Sequence, residues 1–180
     1  MNKNFNRDGI MHIDTSSKLY ERKNTGIAYK LIKSNKHKGL GLSLKLKKEL
    51  ERDLNANSDY ARIYAICIYY LIKNDLDLFD TLIICGDENI NLVKNYLRIL
   101  FSDNKDYQKK EVKSIYELRK ITGNKGLKSY ADNIASSYRK RVLKSVQRQQ
   151  TGIPLNPIKI NYRMICNKWK EIKEKMKEYE

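Results

Sequence analysis

Cysteine, proline and histidine are scarce in this 180-residue sequence, which has three, two and two of them. Cys67, Cys85 and Cys166 show no C-x-x-C spacing, so neither a zinc site nor a disulfide framework is predicted. Both prolines lie in the segment 151–157, where they would end any helix. His12 and His37 are interpreted as surface residues and are given no role.

Long apolar runs are also absent. No run approaches the roughly 18 residues that a membrane-spanning helix needs, and the N-terminus lacks the apolar core of a signal peptide. We therefore expect a soluble, cytoplasmic protein with no membrane partner. The length suits one domain with a small appendage, so we predict a flexible N-terminus at 1–8, a domain at 9–145 and a basic C-terminal extension at 146–180.

Acidic residues are too few to balance the basic ones. The 37 Lys and Arg against 21 Asp and Glu give a formal net charge of +16. Such an excess predicts a polyanionic partner, with nucleic acid the leading candidate, although a Lys-rich surface from codon usage or thermophily is the alternative. The cluster predicted to contact phosphates comprises Arg139, Lys140, Arg141, Lys144 and Arg148.

The most informative stretch is the apolar run at 82–85, which ends in Gly86 and Asp87 and leads into a helical pattern. A short, β-branched apolar run bounded by glycine is typical of a strand buried on both faces. In open α/β sheets, ligands bind at the carboxyl ends of such strands. Asp87 is therefore predicted to lie at a functional site, with capping of the next helix as the alternative.

The rest of the chain predicts an α/β fold. Apolar segments at 10–16, 26–32 and 40–46, joined by short turns, indicate an antiparallel meander. Helices are predicted from 59 to 72, from 90 to 101, from about 129 and from 166 onward; the tyrosines of the first are interpreted as core packing. Residues 112–121 fit a strand better than a helix, and 158–164 fits a short strand. The predicted order is β-β-β-α-β-α-β-α with a basic extension, that is, a mixed five-stranded sheet flanked by helices.

Four acidic residues fall at strand ends or helix starts, where side chains distant in sequence can converge. They are Asp14, Asp59, Asp87 and Asp132. Clustered carboxylates repel one another unless cations neutralise them, and oxygen ligands suit Mg²⁺ or Mn²⁺. Two such ions can activate a water and stabilise the leaving oxygen of a phosphodiester. Asp59 and Asp132 are also explained as first-turn helix residues, with Asn57 or Ser58 capping the earlier helix.

The element order and these acids together resemble the ribonuclease H-like superfamily, in particular the type 1 ribonuclease H core. The resemblance covers about residues 8–140. The motifs that carry it are Ile13-Asp14-Thr15-Ser16, Asn55-Ala56-Asn57-Ser58-Asp59-Tyr60, Cys85-Gly86-Asp87-Glu88 and Ala131-Asp132-Asn133-Ile134-Ala135. Asp59 stands where the family has Glu and Glu88 where it usually has Ser. The loop before Asp132 has no His, although many members of the family carry one there.

This resemblance implies a metal-dependent endonuclease that hydrolyses phosphodiester bonds, with the RNA strand of an RNA/DNA hybrid as the favoured substrate. It implies that the four aspartates act as catalytic ligands of Mg²⁺ or Mn²⁺ in a two-metal mechanism. Two alternatives stay open at this point. One is a non-catalytic nucleic-acid-binding protein that keeps the fold, and the other is a relative that processes DNA junctions.

Overall fold

Five strands form one mixed sheet in the computed structural model, which describes residues 9–34, 36–86, 88–143 and 157–178. The strands are β1 (Ile10–Thr15), β2 (Thr25–Leu31), β3 (His37–Leu42), β4 (Thr81–Ile84) and β5 (Glu111–Ser114). Their order in the sheet is β3-β2-β1-β4-β5. The first three pair antiparallel, whereas β4 runs parallel to β1 and β5 parallel to β4. The predicted α/β class and mixed five-stranded sheet are confirmed.

Helices cover both faces of this sheet. They are α1 (Leu44–Leu54), α2 (Tyr60–Ile72), α3 (Ile90–Leu100), α4 (Lys105–Gln108), α5 (Ile115–Thr122), α6 (Asp132–Leu143) and α7 (Tyr162–Lys177). Two short 3₁₀ turns, Ala56–Ser58 and Leu76–Leu78, flank α2. None of the helices in the described ranges is both long and apolar enough to cross a bilayer.

Alternation along β1 defines the two faces. Met11 and Ile13 point into the larger core, and we call this side the first face. Ile10, His12 and Asp14 alternate with them on the opposite side, the second face. Because both sides are covered by helices, β4 is buried at every position, which is why its sequence is apolar from Leu82 onward.

The first face carries the main hydrophobic core, beneath α1, α2, α3 and α7. Helix α2 lies at its centre and is apolar around most of its circumference. Helix α7 contributes Ile165, Trp169 and Ile172 to the same core. The described part of the C-terminal extension therefore packs against the domain.

The second face is covered by α5 and α6 and has two smaller apolar clusters. Helix α6 lies almost against the backbone of β2. A Cβ atom at Gly26 would come within 2.0 Å of the Ala135 carbonyl oxygen, and one at Gly39 within 2.3 Å of the Tyr138 ring. Only glycine permits this close approach.

Two strand predictions were wrong in extent. The strand predicted at 40–46 ends at Leu42, because Ser43 caps α1 by accepting a hydrogen bond from the Leu46 N–H at 3.1 Å. The segment 112–121 is a strand only as far as Ser114, which then forms a capping box with Glu117 and starts α5.

Two further predictions on buried or terminal segments were also wrong. The strand expected at 158–164 is replaced by a single bridge between Gly39 and Pro157, and Asn161 then caps α7. His12 is fully buried on the second face rather than exposed, and its ring meets Tyr130 edge-on at 5.1 Å.

Candidate functional site

An open cleft of ≈ 330 Å³ lies at the edge of the sheet where the three parallel strands end. Asp14 enters it from the end of β1, Gly86 from the turn after β4, Tyr116 from α5 and Asp132 from the first turn of α6. The carboxyl ends of β1, β4 and β5 meet at this edge because the three strands are parallel. The topology thus brings together two of the four predicted acids.

Asp14 is held by its own strand. Its Oδ1 accepts a hydrogen bond from the Thr15 N–H at 2.8 Å, and its side chain is half-buried. Across the β1–β2 pair it stands opposite Ala28, which is buried beneath α6. The strand therefore fixes the Asp14 carboxylate at the cleft.

The turn after β4 is shaped by Gly86 and supported by Tyr64. Gly86 has φ +144°, a conformation that other residues rarely adopt, and a Cβ there would lie 3.2 Å from the Tyr64 ring. The buried Tyr64 hydroxyl donates a hydrogen bond to the Cys85 carbonyl oxygen at 2.5 Å. Tyr64 packs in the core, as predicted, and also positions the backbone that leads to residue 87.

Burial and nearby carboxylates raise the pKa values of two groups below the cleft, Tyr64 and Cys85. Burial raises the pKa of Tyr64 far above its ordinary value, and the Asp14 and Glu88 carboxylates add to the increase. Burial likewise raises the pKa of the Cys85 thiol to about 12, with Asp14 contributing and Arg119 acting in the opposite direction. Cys85 therefore stays a protonated thiol at neutral pH and is unsuited to nucleophilic chemistry.

Two cations, Arg119 and Lys128, line the cleft beside the acids. The Arg119 Nε donates to the Leu127 carbonyl oxygen at 2.9 Å, and the guanidinium lies 5.3 Å from the centre of the Tyr116 ring. Lys128 is exposed, and 53% of the Tyr116 surface is accessible to solvent. Positive charge and an exposed aromatic ring thus adjoin the carboxylates.

Asp132 depends on the close packing of α6 for its position. It is exposed in the first turn of the helix, where the helix dipole favours a carboxylate. The Arg139 Nη1 donates to the Ser16 carbonyl oxygen at 3.0 Å and ties α6 to the loop after β1. Arg139, predicted to contact phosphate, therefore has a structural partner at the base of the site.

Asp59 does not line this cleft. It is itself the N-cap of α2, and its Oδ1 accepts a hydrogen bond from the Arg62 N–H at 3.1 Å. Its Oδ2 accepts one from the Tyr96 hydroxyl at 2.6 Å and lies 3.0 Å from the Arg62 Nε. The prediction that Asn57 or Ser58 caps this helix was wrong, and the Asp59 carboxylate is engaged by groups on α2 and α3.

Several predicted site residues lie outside the part of the chain that the structure describes. They are Asp87, Lys144 and Arg148, together with the side chain of Arg141. Lys140 is described and is exposed on α6. Within the described ranges no group of three or more Asp, Glu, His or Cys side chains is arranged to hold a metal ion. Asp14 and Asp132 are the predicted ligands that the cleft brings together.

Sequence reasoning missed the cationic and aromatic lining of the cleft. Tyr116 and Arg119 fell in a segment interpreted as a strand, where they would have pointed to opposite faces. A helical reading of 115–122, preceded by the Ser114–Glu117 capping box, would have put both beside the end of β5.

The sequence matches no protein-family model, and the searches of curated proteins and of solved structures found no similar protein.

Proposed function

We propose that this protein is a metal-dependent nuclease with a ribonuclease H-like fold. The observation that carries the proposal is the meeting of Asp14 and Asp132 in one cleft at the carboxyl edge of the parallel strands. These acids come from two of the four motifs, at 13–16 and 131–135, whose order and spacing resemble the family. A sheet of three antiparallel strands followed by two parallel crossover strands agrees with the same assignment.

The donor set of the cleft suits a hard divalent cation. Asp14 and Asp132 offer carboxylate oxygens, and Asp87 follows Gly86, which lines the same cleft. A bound Mg²⁺ or Mn²⁺ would neutralise these carboxylates and polarise a phosphodiester oxygen. The chain itself fixes Asp14 on β1 and orients residues 85 and 86 through the Tyr64 hydroxyl.

The surroundings of the cleft suit a nucleic-acid strand. Arg119 and Lys128 would attract the phosphates, and the exposed Tyr116 ring could stack against a base. The formal net charge of +16 would strengthen attraction for any polyanion and make binding weaken steeply with salt. We propose the RNA strand of an RNA/DNA hybrid as the preferred substrate.

Cleavage assays on labelled hybrid, duplex DNA and junction DNA, with Mg²⁺ or Mn²⁺, test this proposal. Asp14→Asn and Asp132→Asn should each lower the cleavage rate by more than about 100-fold, since even residues that only support metal ligands typically contribute 10–100-fold. Asp106→Asn, which removes the same charge on the exposed surface of α4, is the control and should leave the rate unchanged. Cleavage that survives both cleft substitutions would locate the chemistry elsewhere.

A non-catalytic nucleic-acid-binding protein of the same fold is the second candidate. It is favoured by the engagement of Asp59 with Arg62 and Tyr96, and by the absence of a third acidic ligand among the described residues of the cleft. Titration calorimetry with Mn²⁺ separates the two. Binding that Asp14→Asn abolishes supports the nuclease, whereas nucleic-acid binding without measurable Mn²⁺ affinity or cleavage supports the second candidate.

A further inference from the structure

A second cavity, of ≈ 450 Å³, lies between α3, α4 and the start of β5 and shares no lining residue with the cleft. Its volume falls in the range of small-ligand sites, about 300–1,000 Å³. Lys94, Arg98 and Lys110 line it, and none of its described lining residues is acidic. The cavity is therefore positive and of a size to hold a small anion.

Two of these three cations are poorly neutralised. Lys94 is held by the Glu117 carboxylate at 2.8 Å, but Arg98 makes no ion pair with any described residue. The Lys110 Nζ lies 3.9 Å from the nearest Asp80 oxygen; the Lys110 side chain is 11% exposed and that of Asp80 is 87% exposed. Because a solvent-exposed carboxylate at this distance interacts weakly, the cavity keeps close to two positive charges.

Tyr107 adds a buried donor to the same cavity. It is 4% exposed, its ring stacks on Phe101 at 4.2 Å, and its hydroxyl has no hydrogen-bond partner among the described residues. Burial raises the pKa of Tyr107, and the nearby Arg98 opposes the increase without cancelling it, so the hydroxyl stays protonated. A buried hydroxyl without a partner is costly, so a ligand oxygen that accepts its hydrogen bond would bind more tightly for that contact.

Ser102 offers a further donor at the cavity wall. Its Oγ accepts a hydrogen bond from the Lys175 Nζ at 2.8 Å, which leaves the hydroxyl hydrogen available to donate. The Gln108 amide is fixed beside it by a hydrogen bond to the Ser102 carbonyl oxygen at 2.5 Å. Cationic and hydroxyl donors thus line one cavity.

We propose that this cavity binds a dianionic phosphate group, either inorganic phosphate or the monoester phosphate of a mononucleotide. Arg98 and Lys110 would match the two negative charges of the dianion, and Tyr107 and Ser102 would donate to its oxygens. The phosphodiesters of a nucleic-acid chain carry one charge each and would leave one cation unmatched. The proposal does not depend on the nuclease assignment.

The test measures the affinity for inorganic phosphate by titration calorimetry, with ionic strength held constant by chloride. Wild type should bind, and Arg98→Ala should bind about tenfold more weakly, since a charge-assisted hydrogen bond contributes roughly that factor. Lys48→Ala, which removes one positive charge from the exposed surface of α1, is the matched control and should bind as wild type does. Equal losses of phosphate affinity in the two variants would mean that net charge alone determines the affinity, and would overturn the proposed site.

Tyr107→Phe gives a second, independent readout. Without phosphate, the variant should melt at the same temperature as wild type or higher, because it no longer buries a hydroxyl without a partner. With phosphate, it should bind more weakly than wild type. A lower melting temperature without phosphate would mean that the hydroxyl already has a partner in the protein, and would overturn the proposal.

Competing ligands identify the source of the phosphate. Uridine monophosphate should displace inorganic phosphate, whereas an oligonucleotide without a terminal phosphate should not. Displacement by that oligonucleotide would mean that the cavity binds a nucleic-acid strand, and would contradict the proposal. Asp14→Asn should keep full phosphate affinity, so failure of the nuclease proposal and failure of this one are distinguishable.

Discussion

The two faces of the sheet differ in how much apolar surface they bury and in what else they carry. The first face buries one large core beneath four helices, whereas the second has two small clusters, a buried histidine and the cleft between Asp14 and Asp132. Stabilisation by burial scales with the apolar area removed from water, so most of it comes from the first face. The second face can therefore hold charged and unpartnered polar groups at a tolerable cost.

The largest effect is expected for a substitution at Gly26, where α6 packs against β2 on the second face. Gly26→Ala places a methyl group 2.0 Å from the Ala135 carbonyl oxygen, so α6 must move away from the sheet. We expect a loss of more than about 3 kcal/mol in the free energy of unfolding, at the upper end of overpacking effects. Urea denaturation measures it, and any cleavage activity should fall too, because Asp132 moves with the helix.

Gly126→Ala is the control for this change. A Cβ there has its closest contact at 3.6 Å, so the substitution should be nearly neutral. If Gly26→Ala were no more destabilising than Gly126→Ala, the close packing of α6 would not determine the position of the site.

The next largest effect is expected on the first-face side, at Asp59. Asp59→Ala removes a helix cap, the hydrogen bond from Tyr96 and the ion partner of Arg62, whose side chain is 15% exposed. Arg62 would also stay stacked over Trp169 at 4.3 Å without its counter-charge. We expect a loss of about 3 kcal/mol, from cap removal together with an uncompensated, largely buried charge.

The matched variant Asp59→Asn keeps the cap and should lose less than Asp59→Ala. If the contrast between the faces holds, the Asn variant should respond to Mn²⁺ as wild type does, in a thermal shift experiment. Loss of the Mn²⁺ response in Asp59→Asn would mean that Asp59 is a metal ligand, as the resemblance implied.

A pH titration of stability probes the buried histidine of the second face. Burial lowers the pKa of His12 from 6.5 to about 4, so the folded protein resists a proton that the unfolded chain accepts. Stability should therefore be complete above pH 6.5 and fall by about 2–3 kcal/mol as the pH drops to 4. His12→Leu should flatten this part of the curve. His37→Gln is the comparison, and the slope should persist in it because His37 is less buried.

Sequence patterns predicted the sheet and the central helix because burial on both sides imposes an unbroken apolar pattern. Periodicity does not distinguish a strand from a helix in such runs, but length does: β4 has four residues and ends before Gly86, whereas α2 has 13. The segment 40–46, by contrast, fits both the period of a strand and that of a helix. Its alternating leucines fit a strand, but Leu46 also starts a series with Leu50 and Leu54 at helical spacing, and the Ser43 cap decides in favour of the helix.

The candidate site was predictable where an acid ends a strand or starts a helix that packs on the second face. Asp14 and Asp132 meet this condition, since β1 is central and α6 crosses β2 above it. Asp59 also starts a helix, but its hydrogen bond from Tyr96 depends on how α3 docks beside α2. Tertiary partners of this kind leave no local pattern in a sequence.

The smallest expected effect concerns Glu117, which connects the two faces. Partial burial raises the pKa of Glu117, but hydrogen bonds from Lys94 and from the Ser114 N–H outweigh this and lower the value to about 2. The contribution to stability is thus present above pH 4.5 and is lost as the pH falls toward 2.

Glu117→Gln keeps an acceptor for the Ser114 N–H and removes only the ion pair with Lys94. Because the Glu117 side chain is 48% exposed, solvent screens that pair, and we expect a loss below about 1 kcal/mol at pH 7 that vanishes near pH 2. Denaturation curves at both pH values measure it, with Glu111→Gln as a control for an exposed ion pair. Lys94 stands on a first-face helix and Glu117 on the helix that carries Tyr116 and Arg119 to the cleft. A loss well above this limit would mean that the first face holds the cleft lining in position through this pair, and that the two faces are less independent than their cores indicate.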